Sequence, residues 1–450
     1  MASSRNSRQA EVREAVASVL GALASALATN AAPGTRLAVA LSGGIDSMVL
    51  LDAACGVARA RASLSAVHVH HGISRHADRW AAFCAEQCEA RGVPLVIRRL
   101  SLARERGTSL EAEARKLRYA VLRDADADLV ALAHHADDQA ETLLLQLLRG
   151  AGPHGLAAMP SVMAGRPAFV RPFLGLPRAA LEAYARDRGL TWIDDDSNDD
   201  RRHARNFIRH EIASRLRAHF PGYPATLVRA AHHQAEAAGL LDVLAGVDGS
   251  AAIDDAGLSR ERLAELAPDR ARNLMRWYLR GEGLHSPSEA RLADILRQVL
   301  GAADDARIRI AQDGAEIGRH RGRIAVHAPA GGPFVHAWSG EPEVTLPGGV
   351  LAFEATRGAG LAEAKLRHAQ VTLRSRAGGE RIRLAANRPT RAVKKLLQEA
   401  AMPAWERQGL PLVWAGEELV AVPGIGVALA FQAAPGEASW RIKWRPRKPD

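Results

Sequence analysis

Leu37–Leu51, with AVALSGGIDSMVLL running from Ala38 to Leu51, is the stretch whose reading decides the fold. The apolar run Leu37–Leu41 predicts a buried strand, Ser42–Ser47 a tight polar turn, and Met48–Ala60 a helix. Gly43 and Gly44 carry no Cβ, so the backbone there can take positive φ and an anion can approach the main chain. The following helix points its unpaired N–H groups and the positive end of its dipole into the same loop. Ser42 and Ser47 add hydroxyl donors, whereas the carboxylate of Asp46 repels phosphate unless a divalent cation lies between them. A bare phosphate site has no use for Asp46; a site for a nucleotide carrying Mg²⁺ does. The loop lacks the Lys and Ser/Thr that a Walker A sequence places after its last glycine. The plain alternative is a glycine turn with an ordinary helix cap.

Outward from this loop, 450 residues are too many for one core and imply two or three domains. A hydrophobic share of 47% and a charged share of 24% suit a soluble globular chain and mark no region as disordered. The net charge of +10 and a pI near 10.1 favour a polyanionic partner. Cys55, Cys84 and Cys88 make no even-numbered disulfide framework, which points to a reducing compartment. Cys84 and Cys88 are four apart on a helical pattern and are read as packing residues. Val16–Ala28 is apolar and follows Arg5, Arg8 and Arg13, as in a signal peptide, but Glu11 and Glu14 precede it directly. With Val12, Val16, Val19, Leu20, Leu23 and Leu27 at helical spacing, residues 11–28 read as an amphipathic first helix of a cytoplasmic protein. No run is expected to reach the length of a membrane span.

Strands at Leu64–Val69, Pro94–Leu100 and Leu129–Ala133 alternate with helical patterns at Trp80–Arg91 and Ser109–Asp124. That alternation predicts an α/β, doubly wound parallel sheet whose ligand lies beyond the carboxyl ends of its strands. SGGIDS, HVHHG (His68–Gly72) and HHADDQAE (His134–Glu141) all fall at such ends. Adjacent histidines on a strand face opposite ways, so HVHHG is read as shaping the pocket beside the nucleotide, with zinc as the lesser alternative. Asp138 and Glu141 are three apart and share one helix face at the mouth of the sheet; a solvated first turn, favoured by the dipole, is the plain alternative.

SGGIDS resembles the signature of the PP-loop ATP pyrophosphatases, which split ATP to AMP and pyrophosphate while adenylating an oxygen. More narrowly, EAEARKLRY (Glu111–Tyr119), AHHADDQAETLLLQLLRG (Ala133–Gly150), RPFLGLPRAALEAY (Arg171–Tyr184) and DDDSNDDRRHARNFIR (Asp194–Arg209) are similar to successive motifs of tRNA(Ile)-lysidine synthetases. His203 stands where that family's pattern has an aromatic Tyr. GGERIRL, KKLLQEAAMPAWER and LPLVWAGEELVAVPGIGV resemble the same family's C-terminal tRNA-binding domain, so the likeness runs from about Arg36 to Val427 and weakens in the middle helices. The resemblance implies ATP and Mg²⁺ held by Ser42, Gly43, Gly44, Ile45, Asp46 and Ser47, with His68 beside the adenine and Asp46 and Asp138 on the metal. It implies that Asp46, Arg115, His134, Asp138 and Glu141 surround the reacting groups. The expected reaction joins the side-chain amine of L-lysine to the wobble cytidine of a tRNA(Ile) with a CAU anticodon. Asp138, Glu141 and His134 are all candidates to take the amine's proton.

Downstream, Ala225 to about Gly301 carries three helical patterns, including Arg260–Arg280 and Ser288–Leu300, then a hairpin-like pair, RIRIAQDGAEIG and GRIAVHA. Trp277 and Tyr278 are read as core. A Pro/Gly-rich stretch, Ala328–Pro342, precedes short strands around one helix, Arg391–Ala401. Arg374–Lys395 holds eight Lys or Arg against the single acid Glu380, which favours a phosphate-backbone footprint over a solvated face. The expected domains are 1–217, a PP-loop catalytic domain; 218–335, small and mostly helical; and 336–450, a basic α+β tRNA-binding domain. Arg205, Arg209, Arg374, Arg376, Arg381, Arg383, Lys394 and Lys395 are the expected tRNA contacts, no membrane partner is expected, and a second copy of the chain is a further candidate partner. Two rivals remain at this point. A PP-loop tRNA thiolase needs a persulfide cysteine or an iron–sulfur cluster, and C-x-x-C is absent; a non-catalytic tRNA binder leaves the intact SGGIDS and DDQAE without a use.

Overall fold

The computed structural model describes residues 2–58, 62–72, 76–100, 110–194, 204–303, 308–367 and 369–447, without the side chains of 2–8 and 110–112. His203 lies outside the described residues. Contacts divide the chain into two compact units, 1–239 and 240–450.

The first unit runs α1 (Ala2–Asn30), β1 (Thr35–Ala40), α2 (Ile45–Val57), β2 (Ala62–His70), α3 (Ala77–Glu89), β3 (Leu95–Arg99), α4 (Leu110–Arg123), β4 (Leu129–Ala131) and α5 (Ala136–Leu148). It continues with α6 (Pro153–Leu156), β5 (Val162–Met163), β6 (Ala168–Val170), α7 (Arg178–Asp187) and α8 (Ala204–Phe207). After α8 comes a wider π-helical turn at Ile208–Ile212, then α9 (Ala213–His219) and α10 (Tyr223–Ala252), whose residues beyond 239 are counted with the second unit. The six strands lie in the order β3-β2-β1-β4-β6-β5, all parallel except β5, which runs antiparallel to β6 at the edge. Alternation along β1 explains why the sheet is covered on both faces. Leu37, Val39 and Leu41 join the core built with α1, α2, α3 and α7, while Ala38 and Ala40 join the smaller core that holds Leu122 of α4 and Phe169.

The chain winds from β1 outward through β2 to β3 and then returns to place β4 on the other side of β1. The loop after β1 and the turn after β4 therefore flank the topological switch point, where such sheets open a crevice for ligands. The expected elements are present with shifted ends: α2 begins at Ile45 rather than Met48, because Gly44 is extended (φ −72°, ψ 161°) and the helix starts directly after it. The expectation that no apolar run reaches a membrane-span length is corrected. Gln9–Asn30 is 22 residues long and apolar enough by length and composition, because the helix continues on both sides of the Val16–Ala28 run. Its Val19, Leu23 and Leu27 are fully buried in the same core as Leu37 and Leu181, the position of a core helix in this fold.

In the second unit, helices Arg260–Glu265, Pro268–Gly281 and Glu289–Gly301 pack on a five-stranded antiparallel sheet. Pro268 opens a new helix, so the single expected helix Arg260–Arg280 is two. RIRIAQDGAEIG is itself a hairpin, Arg309–Gln312 with Ala315–His320, turning at Asp313 (φ +48°) and Gly314, so the expected strand pair is three strands. Tyr278 is buried and donates to the Ile324 carbonyl at 3.1 Å, and Trp277 packs against the same core, as expected. The rest of the unit holds a five-stranded and a four-stranded sheet, the short pair Arg381–Ile382 with Arg391–Ala392, and helices Val393–Glu399 and Ala404–Gly409.

Candidate active site

The loop after β1 is preorganised from within. Ser42 and Gly43 N–H donate to Ser47 Oγ at 3.2 and 3.1 Å, and the Ser47 hydroxyl donates to the Gly44 carbonyl at 2.9 Å. Ser47 is buried and closes the turn, which leaves Ser42 and the first turn of α2 to face a ligand. Gly43 has φ +89°, and a Cβ there would lie 2.9 Å from Ile193 Cδ1, so a side chain would be both strained and crowded. Ile193 also donates its N–H to the Gly43 carbonyl at 2.9 Å, pinning the loop to the chain after α7. Asp46 stands in the first turn of α2, and its Oδ1 is buried without a hydrogen-bond partner. An orphaned carboxylate oxygen beside a phosphate-sized loop fits a divalent cation, the chemistry for which hard oxygen ligands are suited. Among the described residues no group of three or more His, Cys, Asp or Glu could hold a metal by itself; a cation shared with nucleotide phosphates needs only one or two carboxylates.

Across the switch point, His135 caps α5: its N–H donates to Asp138 Oδ2 at 3.2 Å, and in its neutral form the ring accepts from the Asp138 N–H at 3.4 Å. The buried ring lies between two carboxylates, with Nε2 3.7 Å from Asp46 Oδ2 and 3.4 Å from Asp138 Oδ2. Burial works against its charge, but Asp46, Asp138 and Asp137 outweigh it and raise the imidazole above its ordinary range. Asp137 accepts from the Arg178 N–H at 2.9 Å and from Arg217 at 2.5 Å, fixing the start of α5 to α7 and α9.

Asp138 and Glu141 share one face of α5, as their spacing predicts, and both are buried. Arg205 bonds Glu141 at 2.9 Å and Asp138 at 3.2 Å; Arg209 bonds Glu141 at 2.6 Å and Asp138 at 3.0 Å. Both arginines, expected as tRNA contacts, thus close a four-membered charge network in this structure. Arg209 lies in the π-helical turn, a local widening of the kind often found at functional sites. Burial pushes the Asp138 carboxyl up, yet His135, Arg205, His134 and Arg209 hold it well below the usual carboxylate range.

His134, beside His135, belongs to a different set of partners. Arg171 Nε donates to His134 Nδ1 at 3.2 Å, and the same buried arginine bonds the Pro160 carbonyl at 2.7 Å and the Tyr119 hydroxyl at 3.3 Å. Burial first, and then Arg118, Arg171 and Arg205, push the His134 imidazole far below its usual range against the opposing pull of Asp138. The histidines at the end of β2 and just after it also have separate partners. His68 is buried and donates from Nδ1 to the Leu41 carbonyl at 2.9 Å, bracing the strand that carries the loop. His70 pairs with Asp78 at 3.2 Å, and His71 keeps a buried Nδ1 without a partner. Arg115 is exposed, with its guanidinium 5.4 Å from the Tyr119 ring centre. One helical turn on, Arg118 is the arginine that acts on His68, His71 and His134.

Sequence reasoning named His134, Asp138 and Glu141 but passed over His135, Asp137, Arg118 and Arg171. His135 and Asp138 stand three apart ahead of a helical stripe, a capping-box spacing that could have flagged the histidine. Arg171 opens the RPFLGLP motif, whose resemblance assigns that residue no role.

In the second unit, Arg381 and Arg383 are exposed, and so are Lys394 and Lys395 on the helix Val393–Glu399. Arg374 lies 5.1 Å from the Trp414 ring centre and donates to the Gly416 carbonyl, while Arg376 is mostly covered beside Glu380 at 3.8 Å.

Three family models match in series: a PP-loop domain over residues 16–216, a TilS substrate binding domain over 258–325, and a TilS substrate C-terminal domain over 371–444. A tRNA(Ile)-lysidine synthase of Nitrosomonas europaea is 43% identical over 424 residues, covering 92% of this chain and 93% of the relative. The enzyme of the same name from Azoarcus sp. is 41% identical and covers 92% of each chain, and that of Ralstonia nicotianae is 41% identical over 91% of this chain and 92% of its own. Similarity at this level over nearly the whole length, with the PP-loop and the two TilS-specific modules in one chain, shows that the protein belongs to the tRNA(Ile)-lysidine synthase family, ATP-using PP-loop enzymes.

Proposed function

We propose that this chain is a carbon–nitrogen ligase that adenylates the wobble cytidine of a tRNA(Ile) with a CAU anticodon and then joins it to the side-chain amine of L-lysine. The observation that carries the reading is His135 set between Asp46 of the loop and Asp138 of α5, which joins the nucleotide side of the crevice to the carboxylates that suit an ammonium group. An anticodon base is already unpaired, so lifting it into the crevice costs little compared with extraction from a duplex. Its 2-carbonyl oxygen attacks the α-phosphorus, and pyrophosphate departs from the loop. The lysine nitrogen then attacks C2, the C2–O bond breaks toward oxygen, and AMP leaves. Asp46, with Asp138, would hold Mg²⁺, whose charge neutralises the outer phosphates when bound. Ser42, Gly43, Gly44, Ile45 and Ser47 shape the phosphate cradle, with His68 bracing it.

Lysine arrives as an ammonium with a reference pKa near 10.4, so about 4.6 kcal/mol is needed at pH 7 to present it neutral unless a base assists. The Asp138 and Glu141 side chains are the acceptors for the surplus proton. Arg205 and Arg209 neutralise both carboxylates in this structure, so the incoming ammonium has to share or displace them; tRNA phosphates are the groups that would draw those arginines away. Arg115, exposed on α4, is available to the polyanionic substrate. Residues 1–217, 218–335 and 336–450 act as catalytic, positioning and tRNA-binding modules. Arg374, Arg376, Arg381, Arg383, Lys394 and Lys395 belong to the last, and a second copy of the chain is a further partner to be read from its mass in solution.

A thiolase needs an accessible, ionisable cysteine. Burial pushes the Cys84 thiol up to about 12 and the Cys88 thiol up to about 11, which suits packing. The discriminating experiment follows pyrophosphate and AMP separately. Pyrophosphate release should require tRNA, and AMP release should require lysine as well; release of both without lysine contradicts the ligase reading.

A further inference from the structure

We propose that His134 serves the reaction as a hydrogen-bond donor through Nε2, its tautomer set by Arg171, and is not the base that takes the proton of the lysine amine. The inference rests on the function proposed above and assigns one role within it. A guanidinium can only donate, so the Arg171 Nε–H directed at His134 Nδ1, 3.2 Å away, requires a lone pair on that nitrogen. A neutral imidazole with an unprotonated Nδ1 carries its single proton on Nε2. The Nε2 edge is then a donor and has no lone pair with which to accept a proton from an amine.

Arg171 is well placed to impose this. It is buried at the end of β6, with further bonds to the Pro160 carbonyl and the Tyr119 hydroxyl, so its fork is held from three sides. The charged groups facing His134 are Asp138 on α5, Arg118 on α4, Arg171 after β6 and Arg205 on α8, three cations against one anion, and together with burial they keep the ring neutral. A fixed donor at the end of β4 suits the oxygens on which charge develops as AMP leaves. It complements Asp138 and Glu141, which are acceptors only. Arg171 acts through the histidine and is a positioning residue.

The tautomer can be read without substrate, from side-chain ¹⁵N resonances of the histidine-labelled full chain near neutral pH, with His134 assigned by its loss in His134→Gln. Nδ1 should appear as an unprotonated acceptor and Nε2 as the protonated nitrogen. Arg171→Leu should mix the tautomers, and Arg171→Lys, which keeps a donor, should restore the single form; a merely structural arginine would alter stability and leave the tautomer unchanged. In single-turnover assays His134→Gln, whose amide can still donate, should release AMP within about tenfold of wild type. His134→Ala should lose roughly 10²–10³, the usual cost of one donor to a developing oxyanion.

A proton on Nδ1, or His134→Gln as slow as His134→Ala in AMP release with pyrophosphate release intact, overturns the proposal. If wild type shows no lysine-dependent turnover at all, the functional reading fails by itself, and the resonances still decide whether the donor is fixed. Should Arg171→Leu not fold, Arg171→Lys and the two His134 variants carry the test.

Discussion

Gly43 sits where the loop turns left-handed against Ile193, and it shows how much a single residue decides here. Gly43→Ala should cost about 1–2 kcal/mol from the left-handed backbone alone, read in chemical unfolding, with weaker ATP binding because the cradle must shift. An unchanged midpoint would mean that the loop has another conformation. Asp46→Asn keeps the size of the side chain and touches no core, so the melting temperature should hold while Mg²⁺-dependent pyrophosphate release is lost; unchanged release would remove Asp46 from the metal. Far from the crevice, the Arg36 side chain and N–H hold the Asp128 carboxyl at about 2, below its ordinary 3.8. A carboxyl lowered on folding stabilises above its unfolded pKa and loses that contribution as pH falls through the folded one. Wild type should therefore lose stability between about pH 4 and 2 more steeply than Asp128→Asn, as followed by far-UV circular dichroism. The loop residues were legible because they are contiguous and act through local backbone geometry. His134 and His135 are equally conspicuous in sequence, but their partners, Arg171 for one and Asp46 for the other, come from distant segments.

Among the elements, α5 and the widened turn of the chain after α8 form the unit to which the proposed function assigns the lysine step. The spacing of Asp138 and Glu141 placed them on one helix face from sequence alone. That Arg205 and Arg209 would lie across them was not legible, because it requires a segment more than sixty residues away to fold back over the helix. Glu141→Gln removes one buried charge and leaves two guanidiniums facing Asp138 alone, which should lower stability by about 1–3 kcal/mol. It should also slow AMP release more than pyrophosphate release, since adenylation does not use the amine. Equal slowing of both steps would place Glu141 with the nucleotide rather than with lysine. The sheet order was equally beyond reach: strand and helix alternation implied a doubly wound sheet, but the antiparallel β5 edge is set by Val162–Met163, a pair too short to carry a pattern.

For the whole molecule, the charge of +10 has to be located before it can explain anything. Arg381, Arg383, Lys394 and Lys395 are exposed members of the basic interval, Arg381 donating to the Thr390 carbonyl and Arg383 to the Ala386 carbonyl, and the two lysines extend from the helix Val393–Glu399. Reversing all four should flatten the dependence of log tRNA affinity on log salt by somewhat under one unit per lost contact, with ATP binding unaltered. An unchanged slope would make them a solvated face. Net charge and the one-sided interval were readable in sequence, whereas the inward packing of Arg374 on Trp414 and of Arg376 beside Glu380 was not, since a charge count says nothing about direction. If the proposed function holds, the chain joins lysine to a tRNA base and consumes ATP in doing so. The most direct test is incubation with ATP, Mg²⁺ and bulk tRNA, with and without lysine, followed by mass analysis of the nucleosides. The expected product is a cytidine heavier by one lysine less one water, formed only when lysine, ATP and the chain are all present. A sulfur-bearing nucleoside, or no lysine-dependent change in any nucleoside, would contradict it.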